Sequence, residues 1–63
     1  MSNNVKKYRL KNGLKMSDMA KLLDISVPNY QKKETGSIKF TLVEAYSLAK
    51  YFKTTIEELF FKQ

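Results

Sequence analysis

Residues 20–36 read AKLLDISVPNYQKKETG. This stretch decides the fold. Ala20, Leu22 and Leu23 continue a helical spacing begun at Met19, and Asp24 interrupts it. Asp tolerates the left-handed backbone that a tight turn demands better than most residues do. Ser26 then offers a hydroxyl to a free backbone N–H one turn on, and Pro28 falls in a first helical turn, where its missing N–H costs nothing. Gly36 supplies a left-handed stop. The spacing therefore predicts a second short helix of about nine residues, joined to the first by a sharp turn. Ala20 is small where two helices must cross closely, Ile25 plugs the turn, and Tyr30 packs the second helix on the first. Mechanically this is a helix-turn-helix.

The second of these helices is unusual in what it leaves outside. Tyr30 is its one clear inward anchor, with the stem of Lys33 one turn further on the same side. Asn29, Gln31 and Lys32 are left pointing out. A helix serving solubility alone would mix charge signs more evenly than Lys32, Lys33 and the single Glu34 do.

Working outward, three more helical stretches appear. Val5 and Tyr8 share a face in a segment from about Asn3 to Asn12, which ends at Gly13. Thr41-Leu42-Val43-Glu44 has the form of a capping box and opens a helix expected to turn Leu42, Ala45, Tyr46, Leu48, Ala49 and Phe52 inward. Thr55-Ile56-Glu57-Glu58 is a second such box, opening a helix that buries Ile56, Leu59 and Phe60. The helix before Asp24 covers roughly Met16 to Asp24, with Met19, Leu22 and Leu23 as its apolar stripe. Either Lys15 or Ser17 can cap its start. Strand-type alternation is absent, so the expected fold is all-α: a compact bundle of five helices with short connections.

The 63 residues fit one domain, spanning 1–63, with a thin core. The chain has neither Cys nor His, which removes disulfides, the usual zinc ligands and nearly all nucleophilic or imidazole-based catalysis. The six acids are spread over several helices, and no Gly-rich phosphate loop is present. No catalytic residue, metal or cofactor is expected. With no membrane-length apolar run, no secretory signal and no Cys, a cytoplasmic protein without a membrane partner is expected. Twelve Lys and Arg face six Asp and Glu, a net charge of +6 and a pI near 9.7. That balance makes nucleic acid the first partner to consider.

Taken in order, "GLKMSDMAKLLDIS", "YQKKETGSIKFTLVEAYSLAKYF" and "IEELF" resemble the phage-repressor and Cro-like helix-turn-helix transcriptional regulators, in particular the small Gram-positive phage and mobile-element branch. The resemblance covers almost the whole chain. It implies a transcriptional repressor that binds double-stranded operator DNA as a homodimer, with the helix after the turn in the major groove. Carried over by position, Val27, Pro28, Asn29, Gln31 and Lys32 would face base pairs. Lys15, Met16 and Ser17, and the turn of Thr35, Gly36, Ser37 and Lys39, would meet phosphate. Arg9 and Glu34 match an ion pair of the family that joins the first and third helices. Met16 stands where the family commonly has a phosphate-binding glutamine, and Asp24 replaces the usual turn glycine. Val27 and Pro28 replace a polar pair. They can touch a thymine methyl but form no side-chain hydrogen bonds, which shifts weight toward DNA shape.

Adjacent Phe60 and Phe61 cannot both face one thin core, so they are the expected dimer interface, at least on DNA. With no second domain, no small-molecule inducer is expected. A second reading keeps the fold but gives it a protein partner, as an adaptor or anti-repressor. Such a protein should lack the basic excess of Lys32, Lys33 and Lys39.

Overall fold

A computed structural model of the chain describes residues 3–62. It contains five helices among the described residues: α1 (Val5–Lys11), α2 (Met16–Leu23), α3 (Val27–Thr35), α4 (Leu42–Tyr51) and α5 (Ile56–Phe60). The order and number match the expectation from the periodicity.

Each boundary has a local cause. The α1 segment ends where Gly13 takes φ 68°, and the N–H of Leu14 donates back to the Arg9 carbonyl at 3.0 Å. Lys15, extended at φ −95° and ψ 163°, is the residue before α2. It has no acceptor to offer, but its own N–H donates to the Asp18 carboxylate at 2.8 Å. This settles the start of α2 in favour of Lys15 over Ser17. Asp24 is left-handed at φ 57° and ψ 46°, and the N–H of Ile25 donates to the Ala20 carbonyl at 3.0 Å. The Ser26 hydroxyl accepts from the Asn29 N–H at 3.2 Å, and Gly36 closes α3 at φ 92°.

The Thr41–Glu44 box of α4 is complete. The second box is half formed. Thr55 accepts from the Glu58 N–H at 3.0 Å, but the Glu58 side chain turns to Lys62 at 3.4 Å instead of returning to Thr55. The two chain ends are joined as well. Asn4 donates its backbone N–H to the Leu59 carbonyl at 2.8 Å, and its side-chain amide to the carbonyls of Glu58, at 2.9 Å, and Lys62.

The centre of the core is Val5, Met19, Tyr30, Leu48 and Leu59, all fully buried. Phe40 bridges its two sides, meeting Tyr30 edge-on at 6.3 Å and Phe60 at 5.5 Å between centroids. Three residues expected inside lie outside: Leu22, Leu42 and Tyr46. The buried arc of α2 runs through positions 16, 19, 20 and 23, which leaves Leu22 about 120° away at 100° per residue. On α4 the same spacing, 45, 48, 49 and 52, takes the core. Tyr46 falls beside that stripe and packs under the Lys50 ammonium at 5.6 Å. Leu42 lies near the edge of the stripe, in the first turn, over an open groove, and is 78% exposed.

Candidate nucleic-acid interface

The geometry of α3 follows from what it buries. Tyr30, Lys33 and Glu34 form its inward face. Pro28, Gln31 and Lys32 lie roughly 100–170° away from that face and are exposed. Val27, in the first turn on the Tyr30 side, is exposed as well. Asn29 is only half-exposed. Lys32 has no carboxylate within ion-pair distance among the described residues. Its charge therefore faces solvent beside Gln31.

Behind this surface, the inward face is tied down by charge. The Arg9 guanidinium of α1 donates from Nε to Glu34 Oε2 at 2.8 Å and from Nη2 to Oε1 at 3.2 Å. The Tyr30 hydroxyl donates to the same Oε2 at 2.5 Å. Arg9 spends a further N–H on the Leu14 carbonyl at 3.1 Å, which brings in the loop before α2. Arg9 and Glu34 side chains are 8% and 2% exposed, so the fork is out of water. The hydrogen bonds to Glu34 outweigh burial and raise the Arg9 pKa above its ordinary value. Burial, reinforced by the bond to Glu34, pushes the Tyr30 phenol well above its usual range. No buried side-chain donor or acceptor among the described residues lacks a partner.

For Lys33 the sequence leaves two roles, covering the core with its stem or placing its charge near the DNA backbone, and its burial favours the first. It is buried, and its Nζ donates to Glu44 Oε1 of α4 at 2.5 Å. The basic excess of α3 is therefore carried by Lys32 alone. Sequence reasoning missed this pair because Glu44 already had a capping role. A signal was present: Lys33 lies one turn beyond Tyr30 on the buried side, where a lysine needs an acid.

The expected phosphate-facing groups fall in two places. Lys15 and Ser17 are exposed at the start of α2, while the Met16 side chain is half-buried against the core. Thr35, Gly36, Ser37 and Lys39 are exposed in the α3–α4 turn. The Thr35 hydroxyl lies within reach of the Lys32 carbonyl and of Ser37. Of the two phenylalanines expected at an interface, Phe60 packs into the core edge against Phe40, and Phe61 is 70% exposed. Phe61 borders an open groove of about 570 Å³ with Ile38 and Leu42, both also exposed.

Among the described residues no group of three or more His, Cys, Asp or Glu is placed to hold a metal ion. No helix there is long and apolar enough to cross a membrane.

Comparison with known proteins agrees with this architecture. No curated protein matches the chain. A crystal structure of a transcriptional regulator from Listeria innocua superimposes with a TM-score of 0.88 at 24% identity. That match covers 100% of this chain and 63% of the Listeria chain, so this chain spans under two thirds of the regulator's length. The likeness is one of fold. The profile of the family described as "Helix-turn-helix" matches residues 5–59, from the first residue of α1 to the last fully buried residue of α5. The chain belongs to the helix-turn-helix family.

Proposed function

We propose that the protein binds a specific double-stranded operator with α3 in the major groove, and represses transcription by occupying it. The observation that carries this reading is the outward face of α3. Val27, Pro28, Gln31 and Lys32 are exposed together, Asn29 lies at their margin, and the one lysine among them has no ion-pair partner among the described residues. Asn and Gln can pair with adenine in two places, Lys can reach guanine, and the apolar pair suits a thymine methyl. The α2 start and the α3–α4 turn flank that face, and there Lys15, Ser17, Thr35, Gly36, Ser37 and Lys39 would meet phosphate and set the register.

The binding unit is the single domain of residues 1–63, acting in the cytoplasm as a homodimer at least on DNA. Phe61, Ile38 and Leu42 on one groove support this, because three exposed apolar side chains around a cleft favour covering it. Two copies would also explain how so short a reading helix reaches useful affinity, since paired half-sites lie about one helical turn apart.

Substitution distinguishes reading from mere charge. Lys32→Ala should weaken the operator complex by about 1–3 kcal/mol and relax preference at one base pair, with less effect on random DNA. Asn29→Ala should do the same at an adenine. Lys39→Ala should weaken operator and random DNA about equally and flatten the salt dependence by about one unit. If all three lose operator and random binding in equal proportion, α3 is a basic handle and not a reader. If none loses binding, α3 and the turn after it are not the reading surface, and if the parent binds neither DNA, a protein partner replaces it. That alternative draws its support from exposed Leu42, Val43 and Tyr46 on α4.

A further inference from the structure

The turn between α3 and α4 is held at both ends, and one carboxylate oxygen serves both. At its near end the N–H of Gly36 donates to the Lys33 carbonyl at 3.3 Å, and the N–H of Ile38 donates to the Lys32 carbonyl at 3.2 Å. At its far end the Thr41 N–H donates to Glu44 Oε1 at 2.9 Å. The same Oε1 accepts from Lys33 Nζ at 2.5 Å. Glu44 thus holds the first residue after the turn and, through Lys33, the last turn of α3. The two side chains are 9% and 13% exposed.

Stability alone does not call for an ion pair there. Replacing a buried pair with apolar groups of similar volume is often neutral or stabilising, whereas removing one partner is costly. The pair adds nothing to the charge offered to DNA, because Glu44 cancels Lys33. What it does is fix a distance between two helices across six residues, 36–41, that lie outside both.

We propose that Glu44 is a positioning residue: by clasping Lys33 it sets the Gly36–Lys39 turn against α3, so that the turn meets phosphate while α3 meets base edges. This inference rests on the DNA-binding reading above. It also makes a prediction of opposite sign to a charge argument. Removing the Glu44 charge leaves the protein one unit more positive and frees Lys33, which by counterion release should tighten binding to any duplex. Positioning requires that operator binding weaken despite the added positive charge.

Three variants of the full chain test this. Glu44→Gln loses the charge but keeps an oxygen for Thr41, since Gln serves the same capping position as Glu. Lys33→Met keeps the stem and loses the ammonium. The double variant removes both charges and strands neither. Each is titrated with the duplex selected from a random pool and with random duplex, at two salt concentrations, and amide exchange at Ile38 is compared with that of α2. Operator affinity should fall roughly 3- to 30-fold in all three variants. With Glu44→Gln, random-duplex affinity should hold or rise. The Ile38 amide should exchange faster while the amides of α2 stay as protected as before. The double variant should regain the melting temperature lost by Lys33→Met without regaining operator affinity.

Unchanged or tighter operator binding by Glu44→Gln overturns the proposal. So does a fall in operator and random affinity in equal proportion, or a double variant that recovers both stability and operator affinity. If the unaltered protein binds neither duplex, the DNA-binding reading fails separately. The clasp is then judged by exchange alone, and unchanged Ile38 protection in Glu44→Gln ends it.

Discussion

Glu34→Gln is the sharpest single perturbation of this fold. It leaves the size of the side chain unchanged and removes one negative charge. In the native arrangement that charge receives two guanidinium N–H bonds, at 2.8 and 3.2 Å, and the Tyr30 hydroxyl at 2.5 Å. After substitution, Arg9 remains 8% exposed beside a neutral amide whose N–H₂ group points donor at donor. Stripping one partner from a buried pair typically costs about 3–5 kcal/mol. A chain of this length has a total stability of roughly 3–9 kcal/mol, so the loss takes a large share of it. At about 4–8 °C per kcal/mol for domains of this size, the melting temperature should fall by at least ~12 °C.

The triple variant Arg9→Met/Tyr30→Phe/Glu34→Leu is the control, because it leaves neither a charge nor an unpaired buried hydroxyl behind and should melt close to the parent. Tyr30→Phe removes one hydroxyl and should cost about 1 kcal/mol. Thermal melts followed by circular dichroism measure all three. A Glu34→Gln melting temperature within about 1 °C of the parent would refute the reasoning, since a buried, stranded guanidinium cannot be that cheap.

Other outcomes follow from the same geometry. Burial alone would raise the Glu44 pKa, but hydrogen bonds from Lys33 and the Thr41 N–H outweigh it and hold the carboxyl below its ordinary value of 4.5. The stability this contributes is fully present above the unfolded value and is lost as pH falls through the lower folded value. Melts taken downward from pH 5 should show that loss, and Glu44→Gln should remove this part of it. Gly36→Ala forces a side chain into φ 92° and should cost roughly 1–2 kcal/mol in denaturant unfolding. Phe61→Ser should shift any dimer toward monomer in sedimentation at tens of micromolar while leaving the melting temperature of the monomer nearly unchanged, because Phe61 is 70% exposed. A parent that sediments as a clean monomer and binds a full operator one-to-one would end the dimer proposal.

Much of the fold was legible because its boundaries depend on local chemistry. Ser26, Pro28 and Gly36 bound α3 by effects that act within one turn of chain, and Asp24 adopts the left-handed turn that its side chain permits. Helical spacing found the centre of the core, since Met19, Tyr30, Leu48 and Leu59 all fall on the apolar stripes it marks and are fully buried. It failed at the edges. Leu22, Leu42 and Tyr46 are apolar and near a stripe, but only the packing of neighbouring helices decides how wide each buried arc is. The Lys33–Glu44 pair was hidden for a related reason. Its partners are eleven residues apart on different helices, and each had a plausible local role. Phe60 was legible from its place beside Ile56 and Leu59, and it meets Phe40 at the core edge.

The central claim is that the outward face of α3 reads base sequence. Selection of bound duplexes from a random pool tests it most directly. The account predicts enrichment of one short sequence, arranged as an inverted repeat with half-site centres about 10 base pairs apart, and loss of preference at one position per half-site with Lys32→Ala. A pool that stays random through successive rounds, although the protein retains it at low salt, would contradict the account and leave α3 as a non-specific basic surface.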